Sequence, residues 1–537
     1  MPVADGSPPV AASERAGNSA AAIVMRVLAG VGQLPGVVCR GARTSRPTTR
    51  VGKITLACLL AILLAGGVLR LLFLLAWRPA FMGYSDSARY IGLARYQLWA
   101  DPTREVGYPL FLRVMHALSG HLTVTIAVQH LFGLASATIL FFAVRRARGP
   151  VWLGLLPAFV VALNGAEMFL EHSTLTESLF ILLLSIAVYC AASAASARLP
   201  VWAGLAGVAF GLDNWVRVVA LPLIGVLLVW LVFFAGGTWR GRLLATFCAL
   251  LGLTATLLPY ALVQQDHTGY FGLTTPAGAW NLYGRVAPFA NCGDFTPPAG
   301  TAVLCESTPP EDRVANVEDY LYNPSLSPAY RAFGSPFTAS HASDAKIAAF
   351  DEAVVLNQPL DYLGAVFEGM VAYIAHERIE FRTHDEIGPE YQLFYHEVMF
   401  TPSQMAIAAE QELRWWDGAH NYATDMGLMS FLWDYEDHSR VTGAVMAALM
   451  FLTFFAPFAP RGRPRQIGLL FFFMAWVALI TPAATHWWDS RAAIPPIGPL
   501  GCAAAIGAWQ LGRVVGGAVE WWRRRREPAA RDASPTA

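Results

Sequence analysis

The residues of this 537-residue chain best suited to chemistry are carboxylates, arginines and a few histidines, set in short polar patches between long apolar runs. The first patch reads Gly83-Tyr84-Ser85-Asp86-Ser87-Ala88-Arg89-Tyr90, soon after Trp77. Asp86 and Tyr90 are four residues apart, so a helix beginning here carries both on one face. A carboxylate so placed can take a proton from a hydroxyl, although Ser85 or Asp86 could equally cap the helix. The second patch runs from Asn164 to Ser178 and holds Glu167, Glu171, His172 and Glu177. An ionisable side chain at a membrane helix centre costs about 2.5–3.5 kcal/mol on insertion scales and is usually paired or functional. Glu171 and Glu177 are therefore acid–base candidates and His172 a binding candidate, with ordinary helix-end solvation as the alternative; Glu167 reads as a pairing residue. In the third patch, Asp213, Asn214 and Arg217 interrupt an apolar passage. Arg217 is expected to hold an anionic phosphate through charge-assisted hydrogen bonds, or to neutralise Glu171 or Asp213. The last patch reads Thr485-His486-Trp487-Trp488-Asp489-Ser490-Arg491. His486 and Asp489 can share a helical face, and His486 and Arg491 suit a phosphate-linked lipid. The two tryptophans equally make this tip an interface anchor with a charged rim.

These patches need a scaffold, and the composition says which kind. The chain is 55% hydrophobic and 14% charged, with apolar stretches near the roughly 20 residues that cross a bilayer. Formal net charge is zero, and nucleic acid is not an expected partner. The histidines and cysteines show no zinc-finger or zinc-peptidase spacing. Ten spans fit best, at about 54–77, 122–144, 151–170, 177–197, 201–214, 217–236, 243–263, 441–459, 466–483 and 493–515. The arginines at 145, 146, 148, 198, 240, 242, 461, 463, 465 and 523–526 then all fall on one side. Positive-inside bias makes that side cytoplasmic and places both termini there.

The expected organisation is a disordered cytoplasmic tail (1–50) and an N-terminal transmembrane module (51–263) with a first outer loop (78–121). An extracytoplasmic domain (264–440), C-terminal transmembrane helices (441–519) and a basic cytoplasmic tail (520–537) follow. The first apolar run reads as an uncleaved span rather than a signal peptide. Helices are expected along the membrane surface at Ile91–Trp99 and Tyr108–Leu118, and Leu360–Ala375 is apolar enough to lie in the interface or pack on the bundle. Cys292 and Cys305, 13 residues apart in the outer segment, are a disulfide candidate in an oxidising compartment; two unpaired thiols are the alternative.

With these patches in order, the chain resembles the membrane glycosyltransferases of GT-C architecture that use polyprenyl-phosphate-linked sugars. The resemblance is to the branch of bacterial protein O-mannosyltransferases, aminoarabinose lipid A transferases and actinobacterial relatives. It is carried by Asp86-Ser87-Ala88-Arg89-Tyr90 followed by Gly107-Tyr108-Pro109, by Thr176-Glu177, by Arg491 with Pro495, and by Tyr283 to Cys292 with Cys305. It departs in having serines on both sides of Asp86, where many relatives carry two adjacent acids.

The resemblance implies an all-α polytopic membrane protein, a GT-C-like helical bundle of about ten transmembrane helices with a mixed extracytoplasmic domain. It implies inverting transfer from a polyprenyl-phosphate sugar to an acceptor outside a bacterial plasma membrane, such as a cell-wall glycan, a lipoglycan or a secreted protein. Asp86 would be the base, with Glu171 and Glu177 as further catalytic candidates. Tyr90, Arg89, His172, Arg217, His486, Asp489 and Arg491 would bind substrate. A divalent cation, magnesium or manganese, could assist through Asp86 and His486, though no cluster demands one. A transporter or flippase of a lipid-linked sugar, and an inactive scaffold of the same fold, stay open, as do the sugar and the oligomeric state.

Overall fold

The computed structural model describes residues 49–81, 84–313, 317–375, 414–417, 423–486 and 490–526. The chain is mostly helical. Its first half forms α1 (Arg50–Ala76), α2 (Tyr84–Arg95), α3 (Gly107–Leu118), α4 (Leu122–Arg145), α5 (Leu155–Ala162), α6 (Gly165–His172), α7 (Glu177–Ala197), α8 (Pro200–Val216), α9 (Ala220–Phe233) and α10 (Trp239–Thr268). The segment after α10 contributes α11 (Ala279–Val286), α12 (Val317–Tyr322), α13 (Pro328–Phe333), α14 (His341–Asn357) and α15 (Pro359–Ala375). The remainder is α16 (Met426–Ser439), α17 (Gly443–Thr453), α18 (Arg463–Thr485), α19 (Ser490–Ala493) and α20 (Ile497–Arg526).

Among the described residues, six helices are long and apolar enough to cross a membrane: α1, α4, α7, α10, α18 and α20. Two more spans form if each bent pair counts as one, residues 151–172 with a 52° bend and residues 426–458 with a 41° bend. By length and composition among the described residues, the expected ten spans become six, or eight with the bent pairs. Apolar helices do stand at all ten places, but α8 has 17 residues and α9 has 14. At 1.5 Å per residue these reach only about 25 and 21 Å, short of roughly 30 Å of hydrocarbon.

Burial separates the centre of the bundle from its rim. Of the apolar window of α1, 22% is buried, and Leu60 and Leu64 point outward, whereas 72% of that of α7 is buried. A helix apolar all round fits either place, because lipid and protein interior solvate it alike. The central α7 carries Glu177 at its first turn and leads into Arg198 at its other end, roughly 30 Å away by helical rise. Arg198 lies with Arg148 and Arg463 at that end.

The segment from α11 to α14 has its own small core, built around Trp280, Tyr283, Tyr320, Ile347 and Phe350. Cys292 and Cys305 are joined beside it, their Cα atoms 5.9 Å apart. Helix α15 packs on the bundle, running antiparallel to α18. The Tyr362 hydroxyl donates to the Ala484 carbonyl (3.0 Å) and that of Tyr373 to the Leu479 carbonyl (3.1 Å). The end of α1 continues into β1 (Trp77–Arg78), which pairs antiparallel with β2 (Ala423–Thr424), Trp77 opposite Thr424. The first surface helix differs from expectation: it is α2, which starts at Tyr84 and stops at Arg95. Beyond it, Asp101 closes a turn by accepting from the Thr103 N–H (2.8 Å) and hydroxyl (2.6 Å).

Candidate active site

Four chain segments converge at the Glu177 end of α7. Asp86 sits in the first turn of α2. Oδ1 accepts from Arg104 Nη2 (2.5 Å) and Oδ2 from Arg491 Nη1 (2.9 Å). Arg491, on the short α19, also places Nε and Nη2 on Glu177 Oε1, each at 2.9 Å. Arg217, just past the end of α8, completes the group by donating to Glu177 Oε1 and, at 3.3 Å, to the Thr176 hydroxyl. Arg217 thus pairs with Glu177 rather than Glu171, and its charge also acts on Asp213 without an ion pair. The row Arg104–Asp86–Arg491–Glu177–Arg217 carries three positive and two negative charges. It is partly open, since the side chains of Arg217, Arg104 and Asp86 keep 25%, 17% and 14% of their surface.

Local sequence explains the convergence. Glycine is required at the start of α3, because a Cβ on Gly107 would stand 2.5 Å from the Trp215 carbonyl oxygen. That close approach brings the 101–106 turn, with Arg104, against the end of α8. Glu105 strengthens it, its Oε1 accepting from the Val218 N–H (3.1 Å). Tyr108 then reaches Gln129 Oε1 (2.7 Å), and the Gln129 amide donates to the carbonyls of Glu171 and Ser173, both at 2.8 Å.

Electrostatics set the protonation states. Burial alone would raise the Asp86 carboxyl, but Arg104 and Arg491 beside it outweigh this and hold it well below the usual carboxylate range. Tyr90 is buried against the same group and is held protonated by burial and by the Asp86 charge. His486 closes α18, facing the same arginines. Burial first, then Arg104, Arg285, Arg217 and Arg491, push it down to about 4. It is thus a neutral imidazole near neutral pH, with Nδ1 buried and unpartnered. Arg89 stands apart from the Asp86 oxygens: it pairs with Asp101 (3.1 Å) and lies over the Phe337 ring, 3.5 Å from its centre. Asp489 lies outside the described residues.

Glu171 and His172 belong to a different network. Glu171 accepts from Arg70 Nε (2.7 Å) and Nη2 (2.6 Å), and its Oε2 meets His130 Nδ1 at 2.8 Å. His130 Nε2 meets His172 Nδ1 (3.0 Å), and His172 Nε2 meets the Trp77 carbonyl (3.1 Å). Arg70 and Glu171 are 2% and 1% exposed. Glu171 and His172, candidates from the sequence, are not brought to the Asp86 row; this ion pair is buried among α1, α4 and α6. Gly133 makes room for it: a Cβ there would come within 1.7 Å of Glu171 Oε1.

Four functional neighbours escaped the sequence reading. Arg104 and Glu105 lie in a turn with no periodic signal. Arg70 and His130 did carry one, being ionisable residues inside long apolar runs, where a partner is expected.

No protein-family model matches the chain, and no curated protein matches it. Solved structures do. The apo oligosaccharyltransferase of Archaeoglobus fulgidus matches at 12% identity with a TM-score of 0.43, over 87% of this chain and 52% of that one. The archaeal oligosaccharyltransferase AglB from Archaeoglobus fulgidus, in complex with an inhibitory peptide and a dolichol-phosphate, matches at 12% and 0.42, over 89% and 52%. ArnT from Cupriavidus metallidurans bound to undecaprenyl phosphate matches at 15% and 0.32, over 88% and 80%. The chain thus spans about half the length of the archaeal structures it matches.

Both Asp86 oxygens accept from guanidinium groups, while His486, the other residue considered for a divalent cation, keeps Nδ1 unpartnered. Among the described residues no three His, Cys, Asp or Glu side chains converge as a metal site.

Proposed function

We propose that this protein is an inverting glycosyltransferase that moves a sugar from a polyprenyl-phosphate donor to an extracytoplasmic acceptor of the cell envelope. The observation that carries the reading is the row of five charged side chains at one end of the bundle, three of them arginines, with an open edge. Such a row suits an anionic phosphate whose apolar chain lies among membrane helices. The motifs at Asp86, Gly107-Tyr108-Pro109, Thr176-Glu177 and Arg491 support it, since three of the four contribute directly to the row and Gly107 positions it.

The free protein spends its arginines on carboxylates, and a carboxylate so held is a weak base. An arriving phosphate competes for Arg491, Arg104 and Arg217. As those bonds shift to the phosphate, Asp86 loses its cations and gains basicity. It then takes the acceptor hydroxyl proton while the acceptor oxygen bonds the anomeric carbon from the face opposite the phosphate. The carbon–oxygen bond to phosphate breaks, and its electron pair leaves with the polyprenyl phosphate, whose growing charge the arginines stabilise. The acceptor is a cell-wall glycan, a lipoglycan or a secreted protein.

Sidedness follows the arginines. Arg148, Arg198 and Arg463 gather at the end of the bundle away from Asp86, so that end is cytoplasmic, with both termini, and the site faces outward from a bacterial plasma membrane. The Cys292–Cys305 link supports an oxidising outer compartment.

A second reading, transport of a lipid-linked sugar, draws on the two bent pairs, because interrupted helices build many transporter sites. The breaks meet where the Gly165 N–H donates to the Ser439 hydroxyl (3.1 Å). The test is transfer itself: purified protein in lipid, a panel of labelled polyprenyl-phosphate sugars, and a membrane extract as acceptor. Label should reach acceptor with wild type and not with Asp86→Asn. Label that changes leaflet without changing carrier would establish the transporter instead.

A further inference from the structure

An aromatic pair on the outer segment is tied to the Asp86 row at two points. Tyr322 ends α12, and its ring lies parallel to that of Phe337, centres 5.4 Å apart and 8° between planes. Arg89 also covers the Phe337 ring, its guanidinium carbon 3.5 Å from the centre, a cation–π contact. Arg89 is three residues from Asp86 on α2, so both project from one side of that helix. At the other point, Tyr322 lies within electrostatic reach of both Arg104 and Asp86, and Arg104 holds Asp86 Oδ1. The Tyr322 ring is thus held by stacking beside the row, yet 39% of the residue stays exposed. A ring so held has already lost part of the rotamer freedom that binding would otherwise cost. The face of an aromatic ring is flat, apolar and electron-rich.

We infer that Tyr322, backed by Phe337, is the platform on which a pyranose ring of the substrate stacks beside Asp86. The C–H face of a pyranose is apolar and carries partial positive charge at its hydrogens, which matches the negative face of an aromatic ring. Its hydroxyls stay in water or reach the charged row. This rests on the proposed transferase reading and adds that the outer segment selects a carbohydrate. The ring belongs to the donor sugar or to the sugar of a glycan acceptor, the chemistry being the same for both.

Binding without turnover tests this directly. Full-length protein in lipid nanodiscs is mixed with the methyl glycosides of mannose, glucose and galactose, and separately with their 1-phosphates. Saturation transfer from protein to ring protons is recorded for wild type, Tyr322→Phe and Tyr322→Ala. Tyr322→Phe keeps the stacking ring and loses only the hydroxyl, so its signal stays near that of wild type. Tyr322→Ala loses about fivefold or more of it. Signal from the 1-phosphates alone assigns the platform to the donor sugar; signal from the neutral glycosides assigns it to the acceptor. No signal in wild type, an equal signal in Tyr322→Ala, or a loss in Tyr322→Phe matching that in Tyr322→Ala would overturn the inference. Saturation needs no catalysis, so a protein that binds through Tyr322 and transfers no label keeps the platform and removes the transferase reading. One that transfers label with Tyr322→Ala binding unchanged does the reverse.

Discussion

Two networks of the same residue types occupy this bundle, and they are built to opposite ends. Arg70, Glu171, His130 and His172 form a line that closes on the Trp77 carbonyl and is shut away from solvent. Arg104, Asp86, Arg491, Glu177 and Arg217 form a row with an exposed edge. A buried pair that satisfies itself has little left to offer a ligand, and removing one partner leaves an uncompensated charge. An open row of arginines can exchange a carboxylate for an arriving anion. The difference between holding the fold and meeting a substrate lies in exposure, not in which side chains are used.

The largest way to sharpen this contrast is at Asp86. Asp86→Asn should lower transfer per folded molecule by about 10²–10⁴-fold, the usual worth of a general base. Next comes Glu171→Gln, which strands Arg70 in the sealed line and should cost about 3–5 kcal/mol of stability. Thermal or denaturant unfolding in detergent would register it, and Gly133→Ala should act in the same direction by crowding the Glu171 carboxylate. Arg217→Met should raise the donor KM by about tenfold to a hundredfold, the range for one hydrogen bond to a charged group, and initial rates against donor concentration would show it.

The smallest effect concerns pH. His486 is held near 4 in the folded protein against an ordinary 6.5. The unfolded chain therefore binds a proton in that interval that the folded protein does not, and stability falls as pH drops from 6.5 towards 4. His486→Gln should flatten the melting temperature across that window. Asp86, held low by its arginines, contributes in the same direction only at more acid pH: its stabilisation is present above the ordinary carboxylate range and is lost as pH falls through its depressed value. Neither group should place a limb near pH 6.5 in kcat/KM for the free protein.

Much of this architecture was legible in the sequence. Apolar length located the spans, and arginine placement separated the two ends of the bundle. Asp86, Glu177, Arg217 and Arg491 stood out as charges where an apolar run stops, and the structure brings all four together. Two kinds of information were missing. Helix length near the crossing threshold, as in α8 and α9, distinguishes a span from a shorter bundle helix only when the breaks are seen. Partnership across the fold was equally hidden. Glu171 and Glu177 lie six residues apart in similar surroundings, yet the α6–α7 turn sends one towards Arg70 and the other towards Arg491. The separation of Cys292 and Cys305 suggested a bond that the outer segment forms, whereas Arg104 lay in an ordinary-looking turn.

The most direct measurement sets Asp86→Asn and Glu171→Gln side by side, recording transfer per folded molecule and unfolding temperature in one preparation. The open row should answer with activity and the sealed line with stability: Asp86→Asn folded and inactive, Glu171→Gln active when folded but melting lower. Asp86→Asn transferring like wild type, or Glu171→Gln as stable as wild type yet unable to transfer, would contradict the assignment of the two networks.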